Sequence, residues 1–239
     1  LAKLTANAFL AQRVSAINSI AALCEVTGAD IREVSRAIGS DSRIGPKFLT
    51  SGPGFGGSCF KKDILNLVYL CQYYDLNEVA AFWESVVELN NWHQHRISKL
   101  IVKKLFGTVS GKKICVCGFA FKANTNDTRE SAAIMICEDL LNEGATLYIH
   151  DPKVDPNQIS KVLKMEACDI KTKLHENNFF SNNGCWVSIK NIFDGLEGAD
   201  AAIFLTEWKE YAEINWNKAS EMMRKPSWVF DTRSITNAN

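Results

Sequence analysis

Residues 113–150 read KICVCGFAFKANTNDTRESAAIMICEDLLNEGATLYIH, and this stretch determines the class of fold. It opens with a short apolar run over 113–118 that ends in glycine, continues with helical spacing over 131–143, and closes with a second apolar run over 145–150. A strand, an amphipathic helix and another strand form a β-α-β unit. The strands of such a unit lie parallel, so the sequence predicts a parallel sheet.

The alternation resumes after a polar stretch at residues 153–188, which we expect to be irregular. The segments beyond that stretch predict a helix near 189–196, a strand at 201–205, a helix near 216–224 and a strand at 228–230. Strands and helices in this order predict a Rossmann-like α/β domain with a parallel sheet covered on both faces, which we place at residues 109–239.

The N-terminal part of the chain has helical periodicity only. Apolar residues recur at helical spacing over 4–26 and 60–74, and Asp30 is placed to cap a short helix between them. A further helix over 77–105 is long enough to carry a dimer interface, although burial within one subunit is an open alternative. The predicted class is therefore α + α/β, with an all-helical domain at 1–108, which carries the candidate dimerisation helix, preceding the α/β domain.

The composition excludes several classes of function. Lys+Arg and Asp+Glu both number 27 in 239 residues, so no net charge attracts the chain to nucleic acid or to an anionic membrane. No apolar run approaches the roughly 18–20 residues of a membrane span. The eight cysteines form no C-x-x-C pair and have no histidine at zinc spacing, which predicts reduced thiols, a cytoplasmic location and no metal site.

Cys59 differs from the other cysteines because it lies between a glycine-rich loop and a helix, in Gly56-Gly57-Ser58-Cys59-Phe60-Lys61-Lys62-Asp63. The partial positive charge of a helix N-terminus favours a thiolate, so Cys59 is a candidate nucleophile. Asp63 lies one helical turn further and could order a water molecule. The alternative is that Cys59 only packs and Asp63 only caps the helix.

Two further groups of residues could act on a ligand. Lys3 and Asn7 are four positions apart on the first helix and could stabilise an oxyanion, unless they form only a solvated helix end. The loop after the first strand carries Lys122 and Arg129, which could bind phosphate at the carboxyl edge of the sheet. This loop lacks the G-x-G-x-x-G pattern, so a Rossmann NAD site is disfavoured there.

Five motifs in this order resemble those of the UDP-glucose and GDP-mannose dehydrogenase family, over essentially the whole chain. Within this family, the amino-acid sequence of residues 54–60 and 65–70 favours UDP-glucose as the substrate over other sugars. The motifs are Lys3-x-x-x-Asn7, Arg43-Ile44-Gly45, Gly56-Gly57-Ser58-Cys59-Phe60-Lys61-Lys62-Asp63, Phe121-Lys122-x-x-Thr125-x-Asp127-x-Arg129-x-Ser131 and Asp231-Thr232-Arg233.

The resemblance implies an NAD-dependent, four-electron oxidation of UDP-glucose to UDP-glucuronate. Cys59 would attack the intermediate aldehyde to give a thiohemiacetal and then a thioester, which water hydrolyses. Lys3, assisted by Asn7, would stabilise the oxyanions, and Asp63 would orient or activate water.

The resemblance also implies ligand contacts and partners. Residues implied for NAD are Lys62 and Arg129. Because Arg43 would reach into a neighbouring subunit and Arg129 toward the neighbour's NAD, a homo-oligomer is implied, either a dimer through the long helix or a trimer of dimers. Residues implied for the UDP-sugar are Arg43, Phe48, Leu49, Phe55, Gly56, Phe60, Phe121, Lys122 and Arg233.

In this family an NAD-binding domain precedes the first helix. Nothing resembling its glycine fingerprint is recognised in this sequence, so we expect that domain to be absent from this chain and hydride transfer to require it. Two alternatives stay open. The chain could be a non-catalytic module for nucleotide-sugar binding and dimerisation, or it could belong to a relative that acts on another UDP- or GDP-sugar.

Overall fold

A computed structural model describes residues 1–169 and 184–236. The chain divides into two compact units, Leu1–Gln94 and His95–Asn239. This division falls inside the long helix rather than after it, because Ile97, Ile101 and Leu105 belong to the apolar core of the second unit. The domain boundary expected near residue 108 stays a prediction.

The first unit is helical, as predicted. Its small buried side chains Ala8, Ala11 and Ser15 line one face of the first helix, which packs against the third. Ile17 is buried as well, whereas several other large apolar residues of the first helix, among them Phe9 and Leu23, are exposed. The helices are α1 (Ala2–Thr27), α2 (Ile31–Gly39), α3 (Phe60–Tyr73) and α4 (Asn77–Lys104), whose last turns lie in the second unit.

The second unit contains a five-stranded parallel sheet in the order β3-β2-β1-β4-β5. The predicted Rossmann-like sheet is therefore confirmed. Its strands are β1 (Lys113–Cys117), β2 (Thr146–His150), β3 (Cys185–Ser188), β4 (Ala201–Phe204) and β5 (Trp228–Asp231). Its helices are α5 (Ala132–Asn142), α6 (Pro156–Leu163), α7 (Ile192–Leu196), α8 (Lys209–Ala212) and α9 (Trp216–Met222).

The central strand β1 is buried from Ile114 to Cys117. Since successive side chains of a strand point to opposite faces, both faces of the sheet are covered here. Cys115 and Cys117 are fully buried with their sulfur atoms 3.9 Å apart. Burial raises the pKa of the Cys117 thiol well above its usual value, so these two cysteines form part of the core.

The expectation of an irregular stretch at 153–188 was wrong for two segments. Asp155 caps α6 by accepting a 2.8 Å hydrogen bond from the Asn157 amide, and β3 adds a strand beside β2. Both elements are short, and α6 buries only Ile159 and Leu163, so neither produces a long periodic signal. Residues 170–183 of this stretch lie outside the described residues.

The strand order reverses direction at β1. The chain passes from β1 to β2 on one side, whereas β4 lies on the other side of β1 and continues to β5. In open α/β sheets, ligands bind outside the carboxyl ends of the strands at such a reversal. The loop after β1 and the residues that follow β4 therefore lie where the fold favours a ligand.

Candidate active site

Three predicted catalytic residues come together where the start of α1 meets the first turn of α3. Lys3 Nζ lies 2.9 Å from Asp63 Oδ2, and Asn7 Nδ2 donates to the same oxygen at 2.5 Å. Lys3 Nζ also donates to Asp63 Oδ1 at 3.2 Å. The four-residue spacing on α1 places both donors on one face, and Asp63 is their shared acceptor.

The carboxylate of Asp63 is buried, with 3% of its side chain exposed, and its charge is balanced by these donors. The hydrogen bond from Asn7, followed by that from Lys3, lowers the pKa of Asp63. The same contact raises the pKa of Lys3, whose side chain is 72% exposed. The Asp63 side chain therefore binds residues of α1 rather than capping α3. Lys3 makes a specific ion pair and does not form only a solvated helix end.

Cys59 is the N-cap residue of α3 and is exposed, whereas most of the other cysteines are buried. Its sulfur lies 3.6 Å from Ser58 Oγ and makes no side-chain capping hydrogen bond to the helix. A negative charge on Cys59 is among the causes that raise the pKa of Lys3, so the sulfur lies within electrostatic range of the ammonium group. An accessible sulfur at a helix N-terminus suits a nucleophile.

The glycine-rich loop before Cys59 is held by polar side chains of α1 and α4. Asn18 Oδ1 accepts from the Gly52 amide at 2.9 Å, and Asn90 Oδ1 accepts from the Phe55 amide at 2.8 Å. His93 Nε2 lies 2.9 Å from the Gly52 carbonyl. Sequence reasoning missed Asn18, Asn90 and His93, although a polar residue within the apolar face of a helix is a weak signal of such a role.

The residues of the first unit that the resemblance implies for the UDP-sugar have different environments. Leu49 and Phe55 are buried, so their side chains anchor the loop and only their backbone atoms could face a ligand. Phe60 packs edge-on against Phe55 with ring centroids 6.0 Å apart, and Gly56 is partly buried beside it. By contrast Phe48, with φ 61°, and Arg43, which pairs with Asp41 at 2.6 Å, are exposed.

One loop of the first unit matches the glycine fingerprint in sequence. Residues 52–57, Gly-Pro-Gly-Phe-Gly-Gly, match G-x-G-x-x-G letter for letter, so the statement that nothing resembles the fingerprint was wrong. A dinucleotide site also needs a strand before the glycines and a helix after them. Here the loop follows α2 and precedes α3, so it does not fit NAD.

The two residues implied for NAD are both exposed. Lys62 lies on α3, and its charge is a minor cause of the lowered pKa of Asp63. Arg129 NH2 pairs with Asp127 Oδ2 at 2.7 Å, an interaction that lowers the pKa of Asp127. Lys62 belongs to the first unit and Arg129 to the second. Among the described residues, no cluster of three His, Cys, Asp or Glu side chains could hold a metal ion.

Three predicted residues of the second unit lie near one another at the reversal of the sheet. Arg233, just after β5, donates from Nε to the Leu205 carbonyl at 2.9 Å and from NH2 to the Phe121 carbonyl at 3.2 Å. Lys122 Nζ lies 5.2 Å from the centroid of the Phe121 ring. Burial is the main cause that lowers the pKa of Arg233, and the charge of Glu207 opposes it. We call Phe121, Lys122 and Arg233 the switch-point cluster.

Residues that the sequence did not single out fix the backbone of this cluster. Asp151 Oδ2 accepts from the amides of Phe119 at 2.7 Å and Ala120 at 3.0 Å. Thr206, fully buried, donates from its hydroxyl to the Ala120 carbonyl at 2.6 Å. Asp151 comes directly after β2, at the carboxyl edge of the sheet, and that position was the available signal.

Gly118 directly follows β1 with φ +95°, and a Cβ atom there would lie 2.4 Å from Thr206 Cβ. Gly118→Ala is therefore expected to lower the free energy of unfolding by about 2–4 kcal/mol through steric overlap and backbone strain. Gly111→Ala is the control, because Gly111 has φ +70° with no atom within 4 Å of its Cβ position, and should cost only about 1 kcal/mol. Equal costs in urea unfolding would contradict the predicted overlap.

Comparison with known proteins identifies the family of both units. Residues 1–92 match the central domain of the UDP-glucose/GDP-mannose dehydrogenase family, and residues 115–238 match its UDP binding domain. The chain belongs to this family. The match to the UDP binding domain includes the switch-point cluster, and the match to the central domain includes Cys59 and Asp63.

Several curated relatives are similar over nearly the whole chain. The chain is 46% identical to UDP-glucose 6-dehydrogenase of Drosophila melanogaster, covering 98% of this chain and 48% of the relative. It is 48% identical to UDP-glucose 6-dehydrogenase of Gallus gallus, covering 98% of this chain and 46% of that one. The chain thus spans about half the length of these relatives.

Solved structures agree with the fold. A UDP-glucose dehydrogenase from the hyperthermophilic archaeon Pyrobaculum islandicum matches with a TM-score of 0.77 at 28% identity, covering 100% of this chain and 48% of that chain. An NDP-N-acetyl-D-galactosaminuronic acid dehydrogenase from Methanosarcina mazei matches with a TM-score of 0.75 at 20% identity, covering 99% of this chain and 46% of that one, and supports the fold alone. No helix in the described part of the chain is long and apolar enough to cross a membrane.

Proposed function

We propose that this chain supplies the catalytic cluster and the nucleotide site for the NAD-dependent oxidation of UDP-glucose to UDP-glucuronate. The observation that carries the proposal is the buried Asp63 carboxylate, which receives both Lys3 and Asn7 one helical turn from the exposed Cys59. A helix terminus that only packed or capped would not require a buried carboxylate, an ammonium group and an amide around an accessible thiol.

The proposed role of Cys59 is covalent capture of the aldehyde. The sulfur attacks the aldehyde carbon, and the carbonyl oxygen becomes an alkoxide in the thiohemiacetal. Loss of a hydride from this carbon gives a thioester. Water then adds to the thioester carbonyl and the C–S bond breaks, which releases the carboxylate, restores the thiolate and frees two protons to the solvent. NAD, when bound, accepts the two hydrides of the complete oxidation.

Lys3 is suited to the negative charge that develops on the substrate oxygen. A lysine is an ammonium ion at neutral pH, and the contact with Asp63 raises the pKa of Lys3 further. A lysine has three donors, which allows Lys3 to hold Asp63 and still donate to an oxyanion. Asn7 fixes the carboxylate from the same helix, and Asp63, kept ionised, could orient the attacking water.

The second unit is proposed to bind the nucleotide diphosphate. Arg233 has 19% of its side chain exposed, and three of its N–H groups make no hydrogen bond to the residues that the structure describes. A guanidinium whose other donors are fixed by backbone carbonyls is well suited to a phosphate. Lys122 adds a second cation at the same edge of the sheet, and the Phe121 ring offers a surface for a base.

The remaining ligand contacts stay part of the proposal. Arg43, exposed at a turn, could reach a neighbouring subunit's site, and the loop around Phe48 to Phe60 could contribute backbone donors to the sugar nucleotide. Lys62 and Arg129 could contact NAD as exposed cations.

A homo-oligomer is supported by the exposed apolar residues Val79 and Phe82 on α4. The eight free cysteines support a reducing compartment such as the cytoplasm.

Arg233→Ala is expected to weaken UDP binding about 10- to 100-fold, because a fixed cation of the diphosphate site is lost. Isothermal titration calorimetry with UDP measures the change. Arg224→Ala is the control, since Arg224 is an exposed arginine of the same unit that pairs with Asp200 at 3.3 Å, and its affinity should change less than about 2-fold. Unchanged UDP affinity in Arg233→Ala would show that Arg233 does not contribute to nucleotide binding.

The whole activity is tested by the yield of NADH per UDP-glucose consumed by the protein as purified from its source. Two NADH per sugar are expected for oxidation of the alcohol through the aldehyde to the carboxylate. UDP-glucose binding with no NADH would favour a non-catalytic module. NADH formation from another UDP- or GDP-sugar, and not from UDP-glucose, would show that the substrate is a different sugar nucleotide.

A further inference from the structure

Glu207 lies three residues beyond the end of β4, directly beside Arg233. Its Oε2 atom is buried and lies 3.2 Å from Arg233 Nε. Nε donates its hydrogen bond to the Leu205 carbonyl, so Glu207 interacts with the guanidinium as a charge and not as a hydrogen-bond acceptor. The other oxygen, Oε1, accepts from the Ala123 amide at 3.4 Å, in the loop that carries Lys122.

A carboxylate in this position is unexpected for a diphosphate site. It lies near the cations that the proposed function assigns to phosphate, and a like charge would repel the ligand. Burial destabilises the charged form of Arg233, and the charge of Glu207 is the cause that counteracts this. The Nε side of the guanidinium is fixed by Leu205 and Glu207, which leaves NH1 and part of NH2 for another partner.

We infer that Glu207 is a positioning residue: its carboxylate holds Arg233 and the loop after β1 in the orientation in which the guanidinium meets an anionic phosphate. This inference rests on the proposed nucleotide site. Glu207 then favours binding of a negatively charged ligand by positioning Arg233, although its own charge repels that ligand directly. Trp208, the next residue, donates from its indole to Asp151 Oδ2 at 3.3 Å. The same oxygen accepts from the Phe119 and Ala120 amides, so the segment after β4 is also linked to the loop after β1 through Asp151.

The test is a double-mutant cycle on UDP binding, measured by calorimetry. Glu207→Gln keeps the shape and removes the charge, and should weaken UDP binding roughly 5- to 30-fold. Glu207→Asp keeps the charge and should bind UDP more tightly than Glu207→Gln. Glu210→Gln removes a nearby exposed carboxylate that contacts neither Arg233 nor the β1 loop among the described residues, and should change affinity less than about 2-fold.

The decisive comparison uses Arg233→Ala as the background. If Glu207 acts mainly through Arg233, adding Glu207→Gln to Arg233→Ala should cause a much smaller further loss than Glu207→Gln causes alone, whereas a role in holding the loop alone would weaken binding by the same factor in both backgrounds. That second result would overturn the inference, as would tighter UDP binding by Glu207→Gln. The melting temperature of each variant is compared with that of the unaltered protein, and Glu207→Ala, which also removes the charge, replaces Glu207→Gln in the cycle if the latter does not fold.

The inference and the proposed function fail in different ways. Loss of UDP affinity in Arg233→Ala together with unchanged affinity in Glu207→Gln overturns the role of Glu207 and leaves the nucleotide site intact. Unchanged affinity in Arg233→Ala overturns the nucleotide role of Arg233 itself, and the inference about Glu207 with it.

Discussion

Cys59→Ser is expected to abolish the oxidation of UDP-glucose to UDP-glucuronate, lowering kcat by at least about 10³-fold. A serine hydroxyl at the start of α3 remains protonated at neutral pH, and neither Lys3 nor Asp63 is suited to activate it, because Lys3 is a cation and Asp63 is already engaged by Lys3 and Asn7. Binding of UDP should change less than about 2-fold, since the nucleotide is proposed to bind the second unit. Steady-state NADH formation and calorimetry measure the two quantities.

Cys168→Ser is the matched control, because it makes the same chemical change at a partly buried cysteine of the second unit. It should retain activity within about 2-fold. Full activity of Cys59→Ser would exclude a covalent sulfur intermediate. Loss of both activity and UDP binding would indicate a general folding defect, which the melting temperature of the variant would reveal.

The elements that the sequence predicted well are those with a local signal. The β-α-β unit at residues 113–150 has a long apolar and amphipathic alternation, and each of its elements was found within two residues of the predicted bounds. By contrast α6 and β3 are short and bury few residues, so their local pattern could not be separated from that of an irregular stretch.

The partners within the site depend on which helix faces pack together, and this is not a local property. The spacing of Lys3 and Asn7 placed them on one face of a helix, but Asp63 is 60 residues from Lys3 along the chain. The same limit applies to Asn18, Asn90 and Glu207. Each is a single polar residue whose contact lies at least 26 positions away, and no periodic pattern of the sequence reports such a contact.

Asp63→Asn is expected to lower kcat about 10²-fold and the melting temperature by about 2–8 °C at neutral pH. The amide would present an N–H group where the carboxylate now accepts from Lys3 and Asn7, so one donor would face another. Asp139→Asn is the control. Asp139 accepts from His95 and Ser98 in the second unit, and its replacement should leave kcat within about 2-fold.

The pH dependence of stability separates loss of a charge from loss of shape in this variant. The pKa of Asp63 is lowered in the folded state, first by Asn7 and then by Lys3, so its stabilising effect is present above the unfolded value of about 4 and is lost as pH falls through the folded value. The melting temperatures of the unaltered protein and Asp63→Asn should therefore differ most at neutral pH and converge as the pH falls below roughly 4. A difference that stays constant over this range would show that the ionised carboxylate contributes nothing to the pairing of α1 with α3, and would remove the charge argument for an ionised Asp63 beside Cys59.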